Sequence, residues 1–315
     1  MVTTHIPRTA VHLLSLADLD PSEIRGLVER GAAFARGEDA GGAHGGRVVG
    51  LYFRKTSTRT RTAFSSAALR LGAGVIAYGP QDLQENTGET FEDTGRVLAG
   101  MLDVLVARTA GPPDELRGIL GDRMAVVNAM TTDEHPTQAL ADLTAIKRCL
   151  GDFEGTHVVY VGEGNNTAAA LALAFAQFAG CELDLRTPAG YGLPSGTLER
   201  AQRLAAAHGA RVTERHDLRG LAAGADVVYT TRWQTTGTQK ADPRWRAGFE
   251  PFRVTTELME RCPAAIFMHD LPAHRGEEVD AEVLDGPRSV AFEQAETKLW
   301  SAMAVLDRSL RGTGA

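Results

Sequence analysis

Cysteine is scarce in this chain of 315 residues: Cys149, Cys181 and Cys262 stand far apart and form no CxxC pair. An odd, scattered set excludes a disulfide framework and a thiolate zinc site, and it predicts a reducing, cytoplasmic setting. Lysine is scarcer still for its role, occurring only at positions 55, 147, 240 and 298 among 33 basic residues. A GC-rich coding bias accounts for that, so the abundance of arginine alone signals nothing. No apolar run approaches the length of a membrane span, and Met1–Leu14 has no long apolar core, which predicts a chain with neither leader nor anchor. Positive charge is in deficit, and a net charge of −7 argues against nucleic acid or an anionic membrane as partner. Internal repeats, low-complexity tracts and the H-E-x-x-H, Walker A and G-x-S-x-G patterns are all missing.

What remains is ordinary globular material, 43% hydrophobic and 23% charged. The length allows two domains of roughly 100–200 residues each. Strand-like runs fall at 47–53, 74–78, 103–107, 124–128, 157–161, 182–186, 226–230 and 265–269. Helical spacing falls at 21–36, 59–71, 91–101, 136–149, 166–179, 196–208 and 291–311. Such alternation predicts an α/β fold of two doubly wound parallel-sheet domains, with the C-terminal helix returning to the first. The break at Gly151-Asp-Phe-Glu-Gly155 places the boundaries at 1–148, 149–290 and 291–315. Sites in such sheets lie beyond the carboxyl ends of the strands.

The most informative segment runs from Phe53 to Phe64, F-R-K-T-S-T-R-T-R-T-A-F. An apolar strand feeds a helix through hydroxyls and guanidiniums, which presents backbone N–H groups, the positive end of a helix dipole and fixed cations to one point. That is an anion site suited to phosphate. A solvated, capped first turn is the plainer reading, but arginine opposes the dipole at a helix start, so two of them there call for an anion.

Other polar clusters also follow predicted strands. Arg108-Thr109 follows 103–107; His135-Pro136-Thr137-Gln138 follows 124–128 and opens a helix, with proline suited to its first position. His269-Asp270-Leu271-Pro272 follows the strand-like Ala264–Met268. Gly162-Glu-Gly-Asn165-Asn166 resembles a dinucleotide fingerprint only in part, because its third glycine is missing, so no nucleotide cofactor is expected.

Taken in order, Phe53-x-Lys55-x-Ser57-Thr58-Arg59-Thr60-Arg61, Arg108-Thr109, His135-Pro136-Thr137-Gln138 and His269-x-Leu271-Pro272 resemble the signature of the aspartate/ornithine carbamoyltransferase family nearly end to end. Asp93-Thr94, Ala141-Asp142-Leu143, Asn165-Asn166 and Leu271-Pro-Ala-His-Arg-Gly-Glu-Glu278 resemble the ornithine branch more than the aspartate branch. The resemblance implies transfer of a carbamoyl group from carbamoyl phosphate to the amine of an amino-acid acceptor, with no metal, cofactor or covalent intermediate. It implies that Ser57, Thr58, Arg59 and Thr60 take the phosphate, while Arg108, His135 and Gln138, helped by Thr58, polarise and hold the carbamoyl group. Lys298 stands where the family has the arginine of a Glu-Asn-Arg element. Arg61 is expected to steady the loop. A homotrimer, or a multiple of trimers, is implied too, with a neighbouring subunit contributing residues 81–90.

The acceptor side departs from the family pattern. Ornithine enzymes read Asp-x-Trp-x-Ser-Met-Gly in the loop whose Asp receives the acceptor's α-ammonium; here it reads Thr231-Arg232-Trp233-Gln234-Thr235-Thr236-Gly237. Asp270 replaces the cysteine of His-Cys-Leu-Pro. The expectation is a charge rearrangement in which Arg232 and Gln234 meet a carboxylate and Asp270 meets an ammonium, with Asn166 and Leu271 beside them. Ornithine or a related diamino acid such as 2,3-diaminopropionate fits that set. Thr231-Arg232-x-Gln234 also resembles the aspartate branch, so an aspartate carbamoyltransferase of pyrimidine synthesis is an alternative. A catalytically silent paralogue that binds phosphate ligands is another.

Overall fold

The computed structural model describes residues 10–38, 44–235 and 239–312, without the side chains of residues 85 and 86. Residues 1–9 of the N-terminal segment, Thr236 and Gly237 of the acceptor loop, and the last three residues lie outside the described residues. The chain divides into two compact units, Met1–Leu140 with Lys298–Ala315, and Ala141–Thr297.

In the first unit the elements are α1 (Pro21–Ala35), β1 (Val48–Phe53), α2 (Arg59–Arg70), β2 (Gly74–Tyr78), α3 (Phe91–Leu98), β3 (Val104–Arg108), α4 (Pro113–Gly118) and β4 (Ala125–Met130). The strands form one parallel sheet in the order β2-β1-β3-β4. Strands β3 and β4 are buried along their whole length, which is why they read as unbroken apolar runs rather than alternating ones. Gly50 in β1 is closely packed: a Cβ there would sit 2.5 Å from a methyl of Leu102, which would have to shift. Helix α1 starts on a capping box, Asp20 with Glu23, and proline at its first position.

Helix α5 (Pro136–Leu150) leads into the second unit, which contains β5 (His157–Val161), α6 (Asn166–Phe175), β6 (Glu182–Arg186), α7 (Ser195–His208), β7 (Arg211–Arg215), β8 (Val227–Thr230), α8 (Trp245–Phe249), α9 (Thr256–Arg261), β9 (Ile266–His269) and α10 (Ala281–Leu284). Its sheet is also parallel, ordered β7-β6-β5-β8-β9. Both sheets and the α/β class agree with the reading from sequence. Strand β7 was not anticipated: it is an edge strand with one buried residue, Val212, among charged and polar neighbours.

Helix α11 (Ala291–Arg311) closes the chain, and its later turns pack on the first unit, as expected for the C-terminal helix. Buried Asp307 accepts from His44 Nε2 at 2.8 Å and pairs with Arg30 at 3.3 Å. The Arg70 guanidinium lies 5.3 Å from the centre of the Trp300 ring. Among the described residues no helix is long and apolar enough to cross a membrane.

Candidate active site

Each unit gathers predicted residues at the carboxyl ends of its own strands. Backbone strain marks the same places. Among the described residues, the non-glycine positions with positive φ are Ala110 (50°), Met130 (148°) and Leu271 (52°), just beyond β3, at the end of β4 and just beyond β9. Each such position costs about 1–3 kcal/mol and persists where surrounding structure fixes it.

In the first unit, β1 passes through residues 54–58 into α2. Thr58 occupies the cap position with helical angles (φ −77°, ψ −59°) and makes no side-chain cap bond. The capped-turn reading therefore does not describe this helix. Thr62 N–H gives the first helical bond, to the Thr58 carbonyl, so the N–H groups of Arg59, Thr60 and Arg61 lie ahead of the helical ladder. Ser57 and Arg59 are half-buried, Thr58 is exposed and Thr60 is buried. Arg54 belongs elsewhere: it pairs with Glu115 at 3.1 Å and donates to the Tyr52 hydroxyl. Lys55 and Arg61 are exposed, and among the described residues neither side chain has a hydrogen bond or ion pair, so no steadying contact of Arg61 is seen there.

Arg108 ends β3 and is buried; a register shift beside it pairs it with Met130 of β4. His135 and Gln138 are buried at the start of α5, where Pro136 is the first helical residue. Thr137 Oγ1 lies 3.2 Å from His135 Nδ1. Burial first, then the charges of Arg108 and Lys298, hold the His135 pKa well below the ordinary imidazole value, so the ring is neutral near pH 7. Lys298, itself buried, donates to the Gln138 side-chain carbonyl and fixes that amide with its NH2 turned away from the lysine. Lys298 also lines a small pocket with Thr60, Phe64 and Thr137. Cations, hydroxyls and a neutral imidazole thus share one sheet edge, an arrangement suited to a phosphate-bearing ligand.

The second unit brings carboxylates to its edge as well as cations. Asp270, beyond β9, is gripped by two hydroxyls: Thr231 donates to Oδ1 at 3.0 Å and Thr167 to Oδ2 at 3.1 Å. His269 Nδ1 lies 3.5 Å from Asp270 but accepts the Leu271 N–H at 2.8 Å, so its proton sits on Nε2, which faces Glu278 at 3.1 Å. Fully buried Asp142 accepts from the Tyr229 hydroxyl at 3.2 Å and from Gln294 at 2.7 Å. Burial first, then the charges of Asp142 and Asp270, raise the Tyr229 pKa well above the usual phenol value, keeping it a donor. Asn166 is buried at the first turn of α6. Arg232 and Gln234 are half-buried; among the described residues the Arg232 guanidinium has no hydrogen bond or ion pair.

Residues missed from sequence are Thr167, Glu163 and Lys240. Lys240 pairs with Glu163, whose other oxygen accepts from Thr235 at 3.1 Å. One signal was present: in a chain with four lysines, a lysine just beyond a polar site loop is unusual. Gly164 lets this loop approach residues 192–193, where a Cβ would come within 2.3 Å of backbone.

Two parallel α/β units, one with a cationic edge and one that brings carboxylates to its edge, define a two-domain α/β protein with polar groups gathered at the carboxyl ends of both sheets. The carbamoyl-P binding domain of aspartate/ornithine carbamoyltransferase matches residues 11–148, and the Asp/Orn binding domain of that family matches residues 154–308. The chain belongs to the aspartate/ornithine carbamoyltransferase family, in its ornithine carbamoyltransferase-like branch, and is a carbamoyltransferase. It is 38% identical to the ornithine carbamoyltransferase of Methanothermobacter thermautotrophicus over 297 residues, 94% of this chain and 97% of that one. Its structure resembles the ornithine carbamoyltransferase of Pyrococcus furiosus (TM-score 0.88, 33% identity, 98% of this chain and all of that one). It also resembles that of Gloeobacter violaceus (TM-score 0.83, 36% identity, 95% and 98%).

Proposed function

We propose that the enzyme carbamoylates the side-chain amine of a diamino acid, ornithine or a shorter homologue such as 2,3-diaminopropionate, and releases phosphate. The observation that carries the acceptor class is Asp270, a carboxylate held by the Thr167 and Thr231 hydroxyls near the further acid Asp142. An acidic edge attracts an ammonium-bearing acceptor and repels aspartate, whose two carboxylates would face like charge.

In this reading the α2 N-terminus, with Ser57, Thr58, Arg59 and Thr60, holds the phosphate of carbamoyl phosphate. Arg108, neutral His135 and Gln138, the last set by Lys298, donate to and orient the carbamoyl group. The deprotonated amine attacks the carbamoyl carbon, and negative charge builds on the carbonyl oxygen, where fixed donors lower the barrier. The bond from carbon to the phosphate oxygen then breaks, phosphate leaves with that electron pair, and the former amine passes its proton to the departing phosphate. Arg232 and Gln234 receive the acceptor's carboxylate, and Asn166 and Leu271 complete its surroundings. Holding two small reactants together supplies much of the rate. The assembly is a homotrimer to which a neighbour contributes residues 81–90; light scattering on a size-exclusion column tests this, and a monomer with full activity overturns it.

The test of the acceptor is phosphate release from carbamoyl phosphate across ornithine, 2,4-diaminobutyrate, 2,3-diaminopropionate, aspartate and no acceptor. Turnover with a diamino acid and none with aspartate is expected. Preference for aspartate overturns the reading, and release that never exceeds the no-acceptor rate favours the silent paralogue.

A further inference from the structure

We propose that Lys240 is a positioning residue for acceptor binding: its ammonium locks the Trp233–Thr235 segment to the start of α6 and thereby to Asp270. This rests on the reading of the second unit as the acceptor side.

The Lys240 side chain is only 5% exposed. Its Nζ lies 4.9 Å from the centre of the Tyr191 ring, 5.2 Å from Trp245 and 5.1 Å from Phe249, and it pairs with Glu163. Three π faces and a carboxylate are the surroundings in which a desolvated ammonium is held firmly. From there a single run of bonds leads to the acid. Glu163 Oε2 accepts from the Thr235 hydroxyl at 3.1 Å, and Thr235 Oγ1 in turn accepts from Asn165 Nδ2 at 3.2 Å. A hydroxyl has one proton, so both bonds are satisfied only in this order. Asn165 Oδ1 caps α6 through the N–H groups of Thr167 (2.9 Å) and Ala168 (3.1 Å). Thr167 then donates its hydroxyl to Asp270. Trp233 packs against the same box, its ring 5.7 Å from that of Phe249. Removing the ammonium leaves Glu163 with an uncompensated, largely buried charge and frees the segment at Thr235.

The test uses Lys240→Met, which keeps an apolar stem and deletes the charge, with Lys240→Arg and Glu163→Gln beside it. In Lys240→Met the acceptor KM is expected to rise about tenfold or more, with the carbamoyl phosphate KM within about twofold of wild type. Lys240→Arg, which keeps a cation able to stack on the rings, should recover most of that loss. Glu163→Gln should resemble Lys240→Met, and the double variant should be no worse than either single one. An unchanged acceptor KM in a folded Lys240→Met protein overturns the proposal, as does a parallel rise of both KM values with a fallen Tm. Amide exchange of residues 233–235 without substrate separates this from a failure of the acceptor reading. Lost protection in Lys240→Met supports the lock whatever the acceptor; unchanged protection refutes it.

Discussion

The two units share one architecture and differ in the charged groups at their working edges. Each is a parallel sheet whose strands end in short polar loops. At the first, Arg108 and Lys298 act on a neutral imidazole, with Arg59 at the start of α2; at the second, Asp270, Asp142 and Glu163 stand with two cations, Lys240, which is matched to Glu163, and Arg232. The fold fixes where a site falls, while the few residues that end the strands decide which charge it takes. The difference also extends to how donors are used. Thr58 makes no cap bond in the first unit, whereas Thr167 and Thr231 in the second spend their hydroxyls on Asp270.

That contrast can be broken most severely at Arg59. Arg59→Ala should reduce kcat/KM for carbamoyl phosphate by about 10²–10³-fold, because it removes a charged donor from the anion site. Steady-state kinetics with carbamoyl phosphate varied checks it; a loss under tenfold would remove the phosphate from this helix. Next is Asp270→Asn, which keeps the shape but not the charge. The acceptor KM should rise about 30-fold or more while the carbamoyl phosphate KM holds.

A milder probe uses His135. Its folded pKa is depressed, so the unfolded chain takes up a proton at about pH 6.5 while the folded chain stays neutral to well below that value. Stability is unaffected above this window and falls as pH drops through it. His135→Gln should therefore show a smaller decline in Tm between about pH 7 and pH 5 than wild type; an equal or steeper decline would mean the ring is charged when folded. The smallest effect is expected from Thr167→Val, which removes one of two hydroxyls on Asp270. The acceptor KM should rise about three- to tenfold, and carbamoyl phosphate kinetics should not change.

Much of this organisation was legible because buried parallel strands are unbroken apolar runs, such as Val104–Arg108 before its last residue. Strand β7 escaped because an edge strand reading R-V-T-E-R has one apolar residue to betray it. Helices α4, α8, α9 and α10, four to six residues each, are too short for a helical period to appear. At the sites, residue types were readable and partnerships were not. The Thr231 hydroxyl meets Asp270 across 39 positions, Thr167 meets it across 103, and Lys240 meets Glu163 across 77. Only the folded sheets bring those loops together. Setting aside the capped-turn alternative agrees with Thr58, whose backbone is already helical where a capping side chain needs an extended residue.

The most direct measurement is calorimetric titration of carbamoyl phosphate into the wild-type, Arg59→Ala and Asp270→Asn proteins. If the first unit holds the anion and the second the ammonium, Arg59→Ala loses measurable binding and Asp270→Asn keeps the wild-type Kd within about twofold. Retained affinity in Arg59→Ala, or its collapse in a folded Asp270→Asn protein, would contradict the division of charge between the two sheets.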